Sequence, residues 1–184
     1  MNHREPPQLP VDSCKALHFL ALLLLPALAP THTHALGRVG EADSSLYLLA
    51  IGARNAATAQ DRRVHLQLSS AFPETLDSHR GSLLCLIAAN LVQNAIAASA
   101  SGETVMVDLT RTAQTITLTV ADSGAGIPPT ARARLFEPGQ SGRPGGTGLG
   151  LAISRLLALQ IGADLALVHT GAEGTRFALT LPLT

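Results

Sequence analysis

At 184 residues and 46% hydrophobic, the chain suits one domain with an appendage and a sizeable core, which 3% aromatics leave to Leu, Ala, Val and Ile. Thirteen basic residues balance thirteen acidic ones, which argues against a nucleic-acid binder and against a charged tail. Cys14 and Cys85 have no metal or redox spacing and read as reduced thiols of a cytoplasmic protein.

The Pro-rich start, residues 1–15, leads into an apolar run at 16–29, ALHFLALLLLPALA. A membrane span needs about 20 apolar residues, and this shorter run is interrupted by Pro26. A signal peptide fits the small residues Ala27 and Ala29, but Glu5, Asp12 and Pro30 oppose it. The favoured reading is one apolar helix, buried or facing a partner, within an N-terminal segment 1–42. The linker-like THTHALGRVG closes that segment.

From residue 43 the chain reads as one domain to 184. Asp43 or Ser44 can cap a helix running to about Gln60. Alternating Val64, Leu66 and Leu68 predict a half-buried strand over 63–69. A loop with Pro73 leads to Ser78, the start of the longest helix, which ends near 99–102. Val105, Val107 and Leu109 mark one strand, and Ile116, Leu118 and Val120 the next, joined by a short link at 111–114. A helix follows over about 148–161, stopping at Gly162. Leu165 and Leu167, a turn at Gly171–Gly174, then Phe177, Leu179 and Leu181 predict a closing hairpin. Helices mixed with antiparallel hairpins argue an α+β two-layer sandwich.

Residues 122–151, DSGAGIPPTARARLFEPGQSGRPGGTGLGL, hold two glycine clusters around a loop rich in Pro and Arg. Each glycine costs conformational entropy unless the backbone needs what only Gly allows. The stretch therefore reads as a nucleotide-phosphate site under a movable lid.

NLVQNA on the long helix, then DSGAGIP, LFEP, GGTGLGLAIS and GTRFALTLPL follow in an order that resembles the ATP-binding domain of bacterial sensor histidine kinases. That domain belongs to the wider GHKL, or Bergerat, superfamily of gyrase, the large heat-shock chaperone, histidine kinases and MutL. The resemblance covers 43–184 and implies a mixed sheet packed on three helices, with ATP held between the helices and a lid.

Asn90 and Asn94 lie at i and i+4 and project from one helical face, beside a sheet-facing row of Leu84, Ala88, Leu91 and Ala95. An amide oxygen is a hard, neutral ligand suited to Mg²⁺ that shares its shell with phosphates, and the resemblance places Asn94 on that metal. Asn90 stands where gyrase-like relatives carry a water-activating glutamate, which makes it a catalytic candidate. Asp122, at a strand end, can accept a hydrogen bond from the exocyclic amine of adenine, where guanine offers an acceptor. Gly124 and Gly126 let the backbone approach the base, and Ile127 can cover it.

Gly146, Thr147, Gly148, Leu149 and Gly150 enter the last long helix, whose N-terminus suits phosphates. No Gly-Lys-Ser/Thr follows, so this is not a Walker loop. Thr175 matches a family threonine near adenine, with an ordinary strand threonine an equal reading. Phe136 resembles the family's anchor for the lid, about 129–147. Arg132, Arg134 and Arg143 are cationic candidates for the triphosphate, with Arg143 favoured because it sits among glycines.

Two departures stand out. Ala97 occupies the position where many such kinases carry Lys or Arg, and none of the seven histidines fits the phosphoacceptor pattern of an acidic neighbour and a nearby Pro. The resemblance implies a two-component kinase domain that passes the ATP γ-phosphate to a histidine in trans or on a missing segment, with a response regulator as further partner. Residues 14–29 would then be a remnant dimerisation helix, consistent with a homodimer. The alternatives are a nucleotide-dependent regulatory module without kinase activity, and a serine kinase of the anti-sigma-factor type.

Overall fold

Alternation along the strands and four-residue spacing along the helices have one cause, the burial of a single apolar layer. The computed structural model describes residues 41–70, 75–139 and 148–183. The expectations for residues 1–40, including the apolar run, lie outside the described residues. In chain order the elements are β1 (Glu41–Asp43), α1 (Ser44–Arg62), β2 (His65–Ser70), β3 (Thr75–Asp77), α2 (Ser78–Ala98), β4 (Thr104–Arg111) and β5 (Thr115–Asp122). They continue with α3 (Pro129–Arg132), α4 (Gly150–Gln160), β6 (Asp164–Gly171) and β7 (Gly174–Pro182).

Five strands form one mixed sheet in the order β2-β4-β5-β7-β6. Only β2 and β4 run parallel, while the β4–β5, β5–β7 and β6–β7 pairs are antiparallel. Val105, Val107, Leu109, Ile116, Leu118, Val120, Leu179 and Leu181 are all buried on the side that meets the helices. The other side carries Met106, Asp108, Thr110, Thr119 and Arg176 and lines only a shallow groove. The result is the two-layer α+β sandwich that the alternation predicts, with α1, α2 and α4 forming the helical layer.

The centre of that layer is α2, whose Leu84, Ile87, Ala88, Leu91, Val92, Ala95 and Ile96 are buried. By length and composition its stretch 79–98 could cross a membrane, yet here it is the core helix of the domain. Cys85, on the same helix, packs against the core and donates its thiol to the Tyr47 carbonyl at 3.8 Å. Burial pushes this thiol up to about 12, with the nearby Arg54 charge offsetting part of the effect. Cys85 is therefore protonated and unreactive at neutral pH.

Three elements escape the sequence reading. β1 and β3 pair antiparallel, Glu41 opposite Asp77 and Asp43 opposite Thr75, where only loop was expected before Ser78. Three residues per strand are too few to show a period. The short α3, opened by Pro128 and Pro129, falls in the segment read as lid. The last helix begins at Gly150 rather than 148, since Gly148 has φ +65° and cannot be a helical residue.

Candidate nucleotide site

Asn90, Asn94 and Ala98 are spaced by four on α2 and share one face of that helix. At the Ala98 end, the loop leaving β5 passes so closely that a Cβ on Gly124 would lie 2.5 Å from the Ala98 carbonyl oxygen. At the Asn90 end, a Cβ on Gly150 would lie 2.6 Å from Asn90 Oδ1, so a larger residue there would have to displace the Asn90 amide. Eight residues separate the two ends, about 12 Å along the helix axis. Asn94 lies midway and is half-buried.

Register brings the first cluster together. Asp122 ends β5 directly opposite Thr175 on β7. Its Oδ1 accepts the backbone N–H of Gly124 at 2.9 Å and that of Thr175 at 3.2 Å. Two such donors fix the direction of a carboxylate, because hydrogen bonds to an ionised acceptor are among the stronger ones. Thr175 is buried, and its Oγ1 lies 3.4 Å from Thr170 Oγ1. Thr170 in turn accepts the Ile127 N–H at 2.7 Å, and Gly126, in between, has φ +76°. Asp122, Gly124, Gly126, Ile127 and Thr175 thus form one cluster, with Thr170 as a member that sequence reasoning missed. Nothing in its strand context separates Thr170 from an ordinary β-strand threonine.

The second cluster is the start of α4. Leu149 at the N-cap provides no side-chain cap, and the first intrahelical bond runs from the Ile153 N–H to the Leu149 carbonyl at 2.9 Å. The N–H groups of Gly150, Leu151 and Ala152 therefore have no acceptor inside the helix. With the helix dipole, they make a terminus suited to an anion. Asn90 Nδ2 donates to Ser154 Oγ at 2.7 Å and pins this turn to α2. Ser154, 2% exposed, was also missed, although it is the last residue of GGTGLGLAIS and its spacing from Gly150 signals the same inward face. Arg143, Gly146 and Thr147 lie outside the described residues.

Between the clusters, the Gly139 N–H donates to the Gly148 carbonyl at 3.1 Å. Phe136 stands edge-on to Phe177 of β7, with ring centroids 6.4 Å apart and planes at 78°. The Arg155 guanidinium of α4 lies 4.7 Å above the Phe136 ring. Both contacts tie the segment after α3 to the body of the domain. Of the expected phosphate cations, Arg132 donates to the Ile127 carbonyl at 2.9 Å and Arg134 pairs with Glu137 at 2.6 Å.

Arg155 is exposed, and a cation–π contact at such a site contributes about 0.5–1 kcal/mol. Arg155→Ala should lower the melting temperature slightly and speed amide exchange across residues 129–139. Unchanged exchange there would show that the stacked guanidinium does not hold this segment.

A family profile described as histidine kinase-, DNA gyrase B- and HSP90-like ATPase matches residues 80–184. The sensor histidine kinase AruS of Pseudomonas aeruginosa is 36% identical over 151 residues, covering 75% of this chain and 14% of that protein. The sensor protein TorS of Escherichia coli is 41% identical over 96 residues, covering 51% of this chain and 10% of that protein. The chain thus spans about a seventh or less of these two curated relatives. Among solved structures, the mycobacterial sensor histidine kinase MprB superposes with a TM-score of 0.63 at 27% identity, covering 77% of this chain and 95% of that one. Full-length ShkA, solved in complex with AMPPNP, gives a TM-score of 0.66 at 23% identity over 93% of this chain and 36% of its own, a likeness of fold. On the profile match and the sequence relatives together, this chain belongs to the family of histidine kinase-, DNA gyrase B- and HSP90-like ATPases.

Proposed function

We propose that this chain is the ATP-binding catalytic domain of a two-component sensor histidine kinase, passing the ATP γ-phosphate to a histidine supplied in trans or from a further segment. The observation that carries this reading is the layout along α2. A fixed carboxylate at Asp122 marks the Ala98 end, an uncapped helix terminus marks the Asn90 end, and Asn94 lies between. An extended nucleoside triphosphate has the same sequence of needs. ShkA, which shares the fold, binds an ATP analogue.

In this reading Asp122 accepts the exocyclic amine of adenine, while Gly124, Gly126 and Thr175 shape the base pocket and Ile127 covers the ring. The N–H groups at the start of α4 hold the terminal phosphates, with Gly146, Thr147, Gly148 and Leu149 leading into them. Asn90 acts through α4, as a positioning residue that fixes the phosphate-binding turn. Arg143 is the favoured lid cation, since Arg132 and Arg134 are engaged with Ile127 and Glu137.

The residues also suit Mg²⁺. Among the described residues there is no cluster of three or more His, Cys, Asp or Glu that could hold a metal. A cation here would use the Asn94 amide oxygen with phosphate and water oxygens, the shell Mg²⁺ prefers. Bound there, Mg²⁺ would neutralise triphosphate charge. The chain's own work is positioning and keeping water from the γ-phosphate. The acceptor histidine attacks that phosphorus, its bond to the ADP oxygen breaks, and ADP leaves. A cytoplasmic setting, with a response regulator as the downstream acceptor, completes the proposal.

Incubation with γ-labelled ATP and candidate acceptor proteins, followed by acid and by alkali, tests it. The expected label is lost in acid and stable in alkali. Acid-stable label would indicate a serine kinase. Intact ATP binding with no label on any acceptor would indicate a nucleotide-dependent regulatory module.

A further inference from the structure

A bulge in β6 turns Thr170 towards the candidate site. Leu165 and Leu167 of this edge strand pair with Leu179 and Phe177 of β7 and pack into the core under the helices. Alternation from Leu167 would send residue 169 inward and residue 170 to the open face. The register instead shifts between Leu167 and His169, and Val168, which has no partner in it, is 58% exposed. A bulge of this kind re-aims the side chains that follow it. His169 then pairs with Arg176 and Thr170 with Thr175, which itself pairs with Asp122 of β5. Asp122, Thr175 and Thr170 therefore form one row across three strands, on the side of the sheet that meets the helices.

We propose, on the reading that places adenine at Asp122, that Thr170 is a positioning residue that makes this row select adenine. Its Oγ1 accepts the Ile127 N–H at 2.7 Å and so holds the loop that would cover the base. That loop lies close against the β6–β7 turn: Gly126 has φ +76°, and a Cβ on it would overlap the Gly171 carbonyl oxygen. A hydroxyl that accepts a hydrogen bond still has one proton to give. The neighbouring hydroxyl is that of buried Thr175, with its Oγ1 3.4 Å away. When Thr170 donates to it, the Thr175 hydroxyl is left to donate its own proton to the base. The row then offers an acceptor at Asp122 and a donor at Thr175. Adenine presents the complement, an amine that donates beside a ring nitrogen that accepts. Guanine and hypoxanthine present a carbonyl beside a ring N–H, so both groups would meet the wrong kind of partner. In this arrangement Thr170 acts through Ile127 and Thr175 without contacting the base.

Competition binding of ATP and inosine triphosphate to the full chain, with Mg²⁺ present, tests it in the wild type, Thr170→Val and Thr170→Ser. Valine keeps the shape and the strand propensity but removes the hydroxyl. In Thr170→Val the preference for ATP over inosine triphosphate should fall roughly tenfold, the scale of one hydrogen bond. Thr170→Ala, smaller but equally without a hydroxyl, should lose the same preference. Thr170→Ser should keep it to within about twofold. Hydrogen exchange gives an independent reading: the Ile127 amide should exchange faster in Thr170→Val and at the wild-type rate in Thr170→Ser. Equal losses for both nucleotides in Thr170→Val would reduce Thr170 to a support of the loop and overturn the proposal. An unchanged preference in Thr170→Val, or a preference lost in Thr170→Ser, would overturn it as well. These outcomes leave the adenine placement standing. A wild type that binds neither nucleotide, or both alike, would overturn that placement and the role of Thr170 with it.

Discussion

Asp122→Ala is expected to reduce ATP affinity by roughly 100-fold or more, at a cost of about 3 kcal/mol, while leaving the fold intact. The magnitude follows from what the carboxylate does in place. Its Oδ1 holds the N–H groups of Gly124 and Thr175, so removing it would release the loop proposed to shape the base pocket together with the proposed acceptor for adenine. Losing hydrogen bonds to a charged partner costs about 1.5–3 kcal/mol each where a donor is left buried. The same two hydrogen bonds support the unliganded fold, so the melting temperature should fall by several degrees while the cooperative transition is kept. Titration calorimetry with Mg²⁺ and ATP, paired with circular dichroism, measures both. Retained affinity in the variant would remove the adenine assignment.

Asn94→Ala is expected to weaken ATP binding about 10- to 100-fold with Mg²⁺ present, on the scale of one hydrogen bond or ligand lost to a charged centre. With EDTA, wild type and variant should bind ATP alike. Alanine is the better helix former, so α2 itself should not suffer. The position explains the specificity of the effect, since Asn94 lies one turn from the Asn90 end and one turn from the Ala98 end. A metal held there would reach the phosphates without touching the base. An equal loss with and without Mg²⁺ would mean that Asn94 supports the site through packing or hydrogen bonding, not through a metal.

Much of the fold was legible because its signals are local. Alternating Val, Leu and Ile residues outlined β4, β5, β6 and β7, and the apolar spacing of Leu84, Ala88, Leu91 and Ala95 outlined α2. What sequence reasoning missed depends on contacts far apart in the chain. The parallel pairing of β2 with β4, His65 opposite Thr104, follows from the helix between them and leaves no periodic trace. The ribbon of β1 and β3 exists only because residues 41 and 77 meet. In the candidate site, the glycine clusters and Asp122 stood out in the sequence by composition and position. Thr170 and Ser154 did not, because a hydroxyl on a strand or helix becomes informative only when its partner is known. Here the partners are the Ile127 N–H and Asn90. The same holds for Arg155, whose meaning is the Phe136 ring beneath it.

The most direct test is a structure of the chain with Mg²⁺ and a non-hydrolysable ATP analogue. The nucleotide should lie along the face of α2 that carries Asn90, Asn94 and Ala98. Its adenine amine should be hydrogen-bonded to Asp122, and its terminal phosphates should sit against the N–H groups that open α4 at Gly150. A nucleotide bound elsewhere, or one with its base at α4 and its phosphates at Asp122, would contradict the account.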